Sequence, residues 1–332
     1  MSKWYETTNN SIAVSTRVRI ARNIKGIPFP NRLDTKRKTE LNNRIVSAIF
    51  NSNSALKNQL NAIDMSQIDD VTAASMVEKH LISVEFSKNR AGKTLILSDD
   101  ETVSIMLGEE DHIRIQVIKS GYCLEEAYDV ADKIDTVLSE NMDFAFDENL
   151  GYLTSCPTNL GTGLRAGVML HLPCLEAANE ISAIASSISK IGLTIRGLYG
   201  EGSKSKASLY QISNQVTLGI SEKNAIENLK TITGQIVKKE EKSAELPDKT
   251  KLQDVVFRSY GLLSNARLLT NDELLGNLSN VILGERLGII KNMNNVNFAL
   301  MFKTQPATLS LAVGNSENLD YKRAEIVRNT LS

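Results

Sequence analysis

Residues 15–23 read Ser15-Thr16-Arg17-Val18-Arg19-Ile20-Ala21-Arg22-Asn23, with Thr16, Val18 and Ile20 on one parity and Ser15, Arg17 and Arg19 on the other. A period of two means a strand, which here buries an apolar row and stands two guanidinium groups on its opposite face. The construction returns downstream. Between Gly108 and Val117, Ile113, Ile115 and Val117 alternate with Glu110, His112, Arg114 and Gln116, so an acid and a base should point the same way. Cys156-Pro157-Thr158-Asn159-Leu160-Gly161-Thr162-Gly163-Leu164-Arg165 is a turn-rich loop feeding Ala166, Val168, Leu170 and Leu172 of one parity, with Arg165 on the other. Ile195-Arg196-Gly197-Leu198-Tyr199-Gly200-Glu201-Gly202 is a strand end passing into a glycine-rich loop that carries one arginine and one glutamate. Any one of these reads as an ordinary solvated sheet face. Four of them in one chain point to a shared anionic ligand of the polyphosphate kind.

The remaining pattern supplies helices around such strands. Thr35 to Ile49, Ser66 to His80, Leu124 to Leu138 and Leu175 to Ile191 read as helices, the last with Pro173 at its start. Residues 94–97 and 102–107 read as strands. The fold class is therefore α+β. After Asn214 the chain turns helical, and the charge-dense stretch from Val237 to Lys251, broken by Pro247, marks a boundary between residues 1–240 and 251–332. Beyond it Val255, Val256, Tyr260, Leu263, Leu268, Leu274, Leu275, Leu278 and Ile282 spell amphipathic helices, and Tyr321 to Leu331 ends the chain as another. A helical C-terminal domain that can pair two copies is the economical reading.

Composition excludes some classes. With 332 residues, 42% hydrophobic, and a formal net charge of -1, the chain can build a sizeable core but lacks the basic surface of a general nucleic-acid binder. No apolar run approaches the roughly 20 residues of a membrane helix, and Met1-Ser2-Lys3-Trp4-Tyr5-Glu6 is no signal peptide. A cytoplasmic location is expected. Cys123, Cys156 and Cys174 form neither an even framework nor a zinc-type pair, so they are expected to be reduced thiols.

The segments STRVR, EEDHIRI, CPTNLGTGLRAG and RGLYGEG resemble, in order and spacing, the signature segments of the phosphagen (guanidino) kinases, over roughly residues 12–235. The resemblance implies an antiparallel sheet flanked by helices and transfer of the γ-phosphoryl of MgATP to a guanidinium nitrogen. Small-substrate members carry a helical domain of about a hundred residues, an ordinary small-domain size, before the STRVR-like strand. Here that strand begins at Ser15, and the chain extends beyond Thr250. Both features resemble the bacterial protein arginine kinases.

Phosphoryl transfer asks a protein for in-line alignment and for neutralised phosphate oxygens, and the guanidinium fork suits the second task. By resemblance Arg17, Arg19, Arg114, Arg165 and Arg196 cradle the ATP phosphates, with Mg²⁺ bridging them and no metal cage of the protein's own. Ser15, Thr16, Val18, Ala166, Gly167, Val168, Met169, Gly197, Leu198, Tyr199, Gly200 and Glu201 complete the nucleotide-binding segments, and His80 matches a histidine that packs on adenine. Glu110 and Glu201 match the pair that holds the acceptor guanidinium, while Glu109 and Asp111 fall on the other parity as structural acids. Cys156 matches the substrate-side cysteine, where a hydroxyl such as Thr158 would stabilise its thiolate. Cys123 and Cys174 read as inert core thiols.

Three departures stand out. Gly108 replaces the family's usual asparagine before the Glu-Glu pair, and Met169 replaces a second adenine-side histidine. An Arg-Asp-x-x-Arg-Ala element that recognises phosphoarginine reads Leu319-Asp320-Tyr321-Lys322-Arg323-Ala324 here, which leaves open whether it still binds phosphoarginine. Three readings follow: a kinase for arginine side chains of proteins, a kinase for free arginine or another small guanidine, and an inactive nucleotide- or phosphoarginine-binding regulator. The first implies protein substrates and, by family resemblance, an activator protein and a protease-chaperone degradation system as partners.

Overall fold

The alternating segment becomes β1 (Ala13–Arg22), a strand with neighbours on both sides. The computed structural model describes residues 1–198, 205–244, 248–291, 296–314 and 318–331. After β1 come α1 (Thr35–Phe50), β2 (Leu60–Asp64), α2 (Asp70–Glu78), α3 (Val84–Ser87), β3 (Thr94–Ser98), β4 (Val103–Leu107) and β5 (Ile113–Ser120). Next are α4 (Leu124–Ser139), the two-residue strands β6 (Phe146–Asp147) and β7 (Gly151–Tyr152), β8 (Leu164–His171), α5 (Pro173–Ala177) and α6 (Ile181–Ser189). β9 (Leu193–Gly197), β10 (Leu209–Asn214) and α7 (Glu222–Ser243) follow. The chain closes with α8 (Lys249–Asn265), α9 (Asn271–Arg286), α10 (Phe298–Lys303), α11 (Pro306–Val313) and α12 (Leu319–Leu331).

Among the described residues one sheet runs β2-β3-β4-β5-β1-β8-β10-β9, with every pairing antiparallel. Period two then sorts its side chains into two cores. Val18, Ile20, Ile113, Ile115, Val117, Ala166, Val168 and Leu170 face Leu41 and Ile45 of α1, Ile134 and Leu138 of α4, Ile184 of α6 and Leu229 of α7. The opposite face sends Leu95, Met106, Ile118, Met169 and Leu209 against Trp4 and Tyr5 of the N-terminus and against Val256, Leu274, Leu278 and Phe302 of the C-terminal helices. Each fully buried aliphatic side chain of this kind stabilises the fold by roughly 1.5–3 kcal/mol. The C-terminal helices therefore cover part of the very face on which Arg17 and Arg19 stand.

Two sequence expectations change. The helix expected from Ser66 to His80 is only α2, because Asp69 caps its start by accepting from Thr72 N and the chain turns out of it at His80, whose φ is 60°. His80 is thus a turn residue and not a helical one. The stretch from Leu175 to Ile191 divides into α5 and α6 at Asn179, where φ is 58°. The stretch from Val237 onward stays helical to Ser243, because Glu240 is buried and accepts from the backbone N–H groups of Cys174 and Leu175 at 2.9 Å each, tying α7 to the start of α5.

Candidate active site

In the sheet register Arg19 lies opposite Arg165 and Arg17 opposite Gly167, while Ala21 lies opposite Arg114. Partners across a ladder project to the same side, so the four arginines share one face. Arg196 joins them through β10, where it lies opposite Gln211, itself the partner of Met169. Gly167 keeps this row open. A Cβ there would come within 2.6 Å of Gln211 Nε2 and 2.8 Å of the Ile212 carbonyl oxygen, and Gln211 is the residue whose Oε1 accepts from Arg17 at 2.8 Å.

Arg19, Arg114 and Arg165 line a cleft of about 170 Å³ together with Ala21, Glu110, Cys156, Thr158, Asn159 and Gly163. Arg114 reaches Glu109 Oε2 through Nη1 at 2.6 Å and Glu110 Oε2 through Nη2 at 3.0 Å. The Glu109 side chain is 7% exposed and that of Glu110 39%, so Glu110 is the carboxylate open to a ligand. Cys156 Sγ and Thr158 Oγ1 are 3.0 Å apart, within hydrogen-bonding reach. Gly163, at φ +64°, lets the loop close on β1, since a Cβ there would meet the Ala21 carbonyl oxygen at 2.6 Å.

Alternation fails at the second segment. Glu109 to His112 form a turn ahead of β5, so strand parity does not aim them. Glu109 consequently reaches Arg114 despite its parity. His112 is buried, accepts from Ile24 N at 2.9 Å through Nδ1 and donates to the Pro28 carbonyl at 2.8 Å through Nε2, so it braces the fold instead of joining Glu110. Asp111 accepts from Asn23 Nδ2 at 2.7 Å and from Ser155 N at 2.8 Å, which anchors the loop carrying Cys156 to the end of β1.

The electrostatics are those of an anion site. Burial, and then the charges of Arg17, Arg114 and Arg165, drive the Arg19 guanidinium well below its usual range, with Glu109 opposing. Guanidinium does not give up its proton in proteins, so the imbalance is a demand for negative charge. Arg19 Nε is buried without a hydrogen-bond partner. Arg165 is likewise lowered by burial and by Arg196, with Cys156 opposing. His80 is pushed down to about 3 by burial, then by Arg17, and is neutral at ordinary pH; its ring stands edge-on to Phe302 of α10 at 5.7 Å.

Four residues assigned to the nucleotide segments do not reach this face. Val18, Ala166 and Val168 are packed in the core under α4 and α7, and Thr16 uses its hydroxyl to donate to the Gly121 carbonyl and to accept from Cys123 N. Ser15 and Met169 are buried register partners on the arginine face. Gly197 ends β9 and Leu198 packs on the C-terminal core. Tyr199, Gly200 and Glu201 lie outside the described residues. Gln211, Glu109 and Asn159 were not singled out as site residues in the sequence; alternation in Leu209–Asn214, which puts Gln211 and Ser213 on one parity, was the available signal for the first.

Residues 40–243 match the family model described as ATP:guanido phosphotransferase, C-terminal catalytic domain, and residues 249–332 match that of the protein-arginine kinase McsB C-terminal domain. A protein-arginine kinase of Clostridium acetobutylicum is 46% identical over 345 residues, covering 100% of both chains. Those of Halothermothrix orenii and Brevibacillus brevis are 44% and 43% identical, covering 100% and 99% of this chain and 97% and 95% of theirs. The chain belongs to the protein-arginine kinase family. Solved structures of a lombricine kinase (TM-score 0.62, 22% identity, 72% of this chain and 69% of that one) and of the duplicated taurocyamine kinase from Schistosoma mansoni (0.63, 23%, 77% and 40%) share the fold.

The phosphoryl donor of the wider guanido phosphotransferase family is ATP, and the residues here fit a polyphosphate: five arginines on one face, a buried orphan Nε on Arg19, and a neutral histidine beside Arg17. In the C-terminal domain of this protein-arginine kinase family member, Arg323 is buried at 2% exposure. It donates to the carbonyls of Thr304 at 3.0 Å and Leu269 at 2.8 Å and pairs with Asp320. Leu319 opens α12 and Ala324 is buried in the core. The arginine of the altered element thus ties α12 to α10 and to the α8–α9 connection.

Proposed function

We propose that this protein is a protein arginine kinase that moves the γ-phosphoryl of MgATP onto a nitrogen of an arginine side chain in a polypeptide. The convergence of Arg19, Arg114 and Arg165 with Glu110 and Cys156 on one cleft carries this reading. The arginines hold the phosphates and spread charge as the bond from the γ-phosphorus to the β–γ bridging oxygen breaks and the P–N bond forms. ADP leaves with that oxygen. Glu110, with Glu201 as the second carboxylate that the family resemblance implies, orients the acceptor guanidinium, and a carboxylate receives the proton displaced from nitrogen as the bond forms. Cys156, which lines the same cleft as Glu110, helps position the acceptor, with no covalent intermediate. His80, kept neutral, offers its ring to the adenine.

Mg²⁺ carried in with the nucleotide would add charge neutralisation to that of Arg19, Arg114 and Arg165. Cytoplasmic residence belongs to the same proposal, as no helix among the described residues is long and apolar enough to cross a membrane. A second copy is a partner through the C-terminal helices, where Val255 and Leu262, on one face of α8, are 44% and 40% exposed. An activator protein and a protease-chaperone system complete the partners that the family relationship suggests.

The test is competition. Given MgATP with equimolar free arginine and an arginine-bearing protein, acid-labile phosphate should appear on the protein with at least about tenfold higher kcat/KM, a difference of about 1.4 kcal/mol in transition-state binding. Equal values would make this a small-guanidine kinase. No transfer to either, with ATP bound, would make it a regulator.

A further inference from the structure

The acceptor cleft ends at Ala21 and Gly163, and the residues next to them in the chain, Arg22 and Thr162, line a second and larger cleft of about 730 Å³. Ala21 and Arg22 are consecutive on β1, so their side chains belong to opposite faces of the strand. The second cleft lies round the end of the sheet, bounded by Tyr128, Asp132 and Asp135 of α4, the β6–β7 hairpin with Phe146 and Tyr152, and Glu222 at the start of α7. It already displays how a guanidinium is held. Arg22 stacks 3.5 Å over the Tyr152 ring and pairs with Asp135 at 2.8 Å and Glu222 at 3.1 Å.

The parts of a second such clamp are left over. Asp135, 8% exposed, directs only Oδ2 at Arg22, and its Oδ1 is buried without a hydrogen-bond partner. Asp132 is exposed one helical turn earlier, and Phe146 is 56% exposed with its ring edge-on to Tyr152 at 5.3 Å. Glu222 is already engaged by Arg22 and by the Tyr128 hydroxyl. On the rim the exposed Lys223 opposes the acids, so the cleft holds three carboxylates, one buried cation and one rim cation. A carboxylate beside an exposed aromatic ring is a site for a cationic side chain.

We propose that this cleft is a docking subsite for a second basic side chain of the polypeptide substrate, carried a few residues from the target arginine. The inference rests on the protein arginine kinase reading and adds a sequence preference to it. An extended chain advances about 3.3 Å per residue, so an offset of about two to six residues carries a side chain round the 156–163 loop from one cleft to the other. The bound cation meets the exposed Asp132 and lies against Phe146, with the half-satisfied Asp135 carboxylate buried behind them.

The test uses the full chain, MgATP and peptides with one arginine, so that only one acceptor exists. A lysine is placed two to six residues to either side and compared with glutamine at the same position. At one or a few offsets lysine should raise kcat/KM at least about fivefold, mainly through KM. Asp132→Asn and Phe146→Ser should abolish that gain while leaving turnover of the glutamine peptides unchanged. A lysine that has no effect at any offset, or an effect that survives both substitutions, overturns the subsite. Failure to phosphorylate any peptide while free arginine is phosphorylated overturns the acceptor reading and the subsite with it.

Discussion

Arg19 of β1 and Arg165 of β8 are register partners in the middle of the sheet, two like charges placed side by side on one face. Such a pair is unfavourable unless an anion answers it. Arg19→Ala and Arg165→Ala should therefore leave the fold intact and reduce phosphoryl transfer by roughly 10²-fold or more, as expected for a lost preorganised charge. Single-turnover kinetics with isothermal titration of ATP would check this; unchanged kcat and ATP affinity in both variants would remove the arginine cradle.

Glu110 is the more exposed of the two carboxylates on Arg114. Glu110→Gln should lower transfer by about 10²-fold while ATP affinity is retained, because the lost charge faces the acceptor. Glu109→Gln should act on ATP affinity as well, since Glu109 is the buried partner that holds Arg114. The two variants thus separate in a plot of kcat against ATP Kd. Identical profiles would contradict the assignment.

Gly167 sits where any side chain meets Gln211 and the Ile212 carbonyl. Gly167→Ala should cost about 1–3 kcal/mol of stability, typical of overpacking, and weaken ATP binding because Gln211 can no longer hold Arg17. Urea denaturation midpoints and nucleotide titration provide the two readouts. A variant of normal stability and normal affinity would show that the strand relaxes around the methyl group.

Strand alternation in the sequence was enough to find β1, β5 and β8 and to put Arg17, Arg19, Arg114 and Arg165 on one side, because within a strand the backbone alone decides which way a side chain points. It was not enough at Glu109 to His112, where the backbone turns, nor at His80, whose positive φ ends the helix that its neighbours suggest. Thr16, Val18, Ala166 and Val168 show the complementary error. A motif names a run of residues, but on a strand every second side chain belongs to the other layer. The clamp around Arg22 joins β1, α4, the β6–β7 hairpin and α7, so no local pattern could disclose it.

The last prediction concerns acid stability. His171 is buried between β8 and α9, where Nε2 donates to Ser279 Oγ at 2.8 Å and Nδ1 accepts from Arg286 at 2.6 Å. Burial, and then the Arg286 charge, hold its pKa well below the ordinary value. Below about pH 6.5, the usual pKa of an unfolded histidine, the unfolded chain takes up a proton that the folded chain refuses. Stability is therefore full above that pH and declines as pH falls, by up to about 1.4 kcal/mol per pH unit for each such histidine. His80, at about 3, contributes in the same direction. Glu240, which faces Arg286 and is raised by burial, works the opposite way. The readout is accordingly the difference between the protein and His171→Gln, which keeps a donor and an acceptor without titrating. Urea midpoints between pH 7.5 and 5 should fall more steeply for the native sequence; parallel lines would mean that His171 takes up its proton in the folded state.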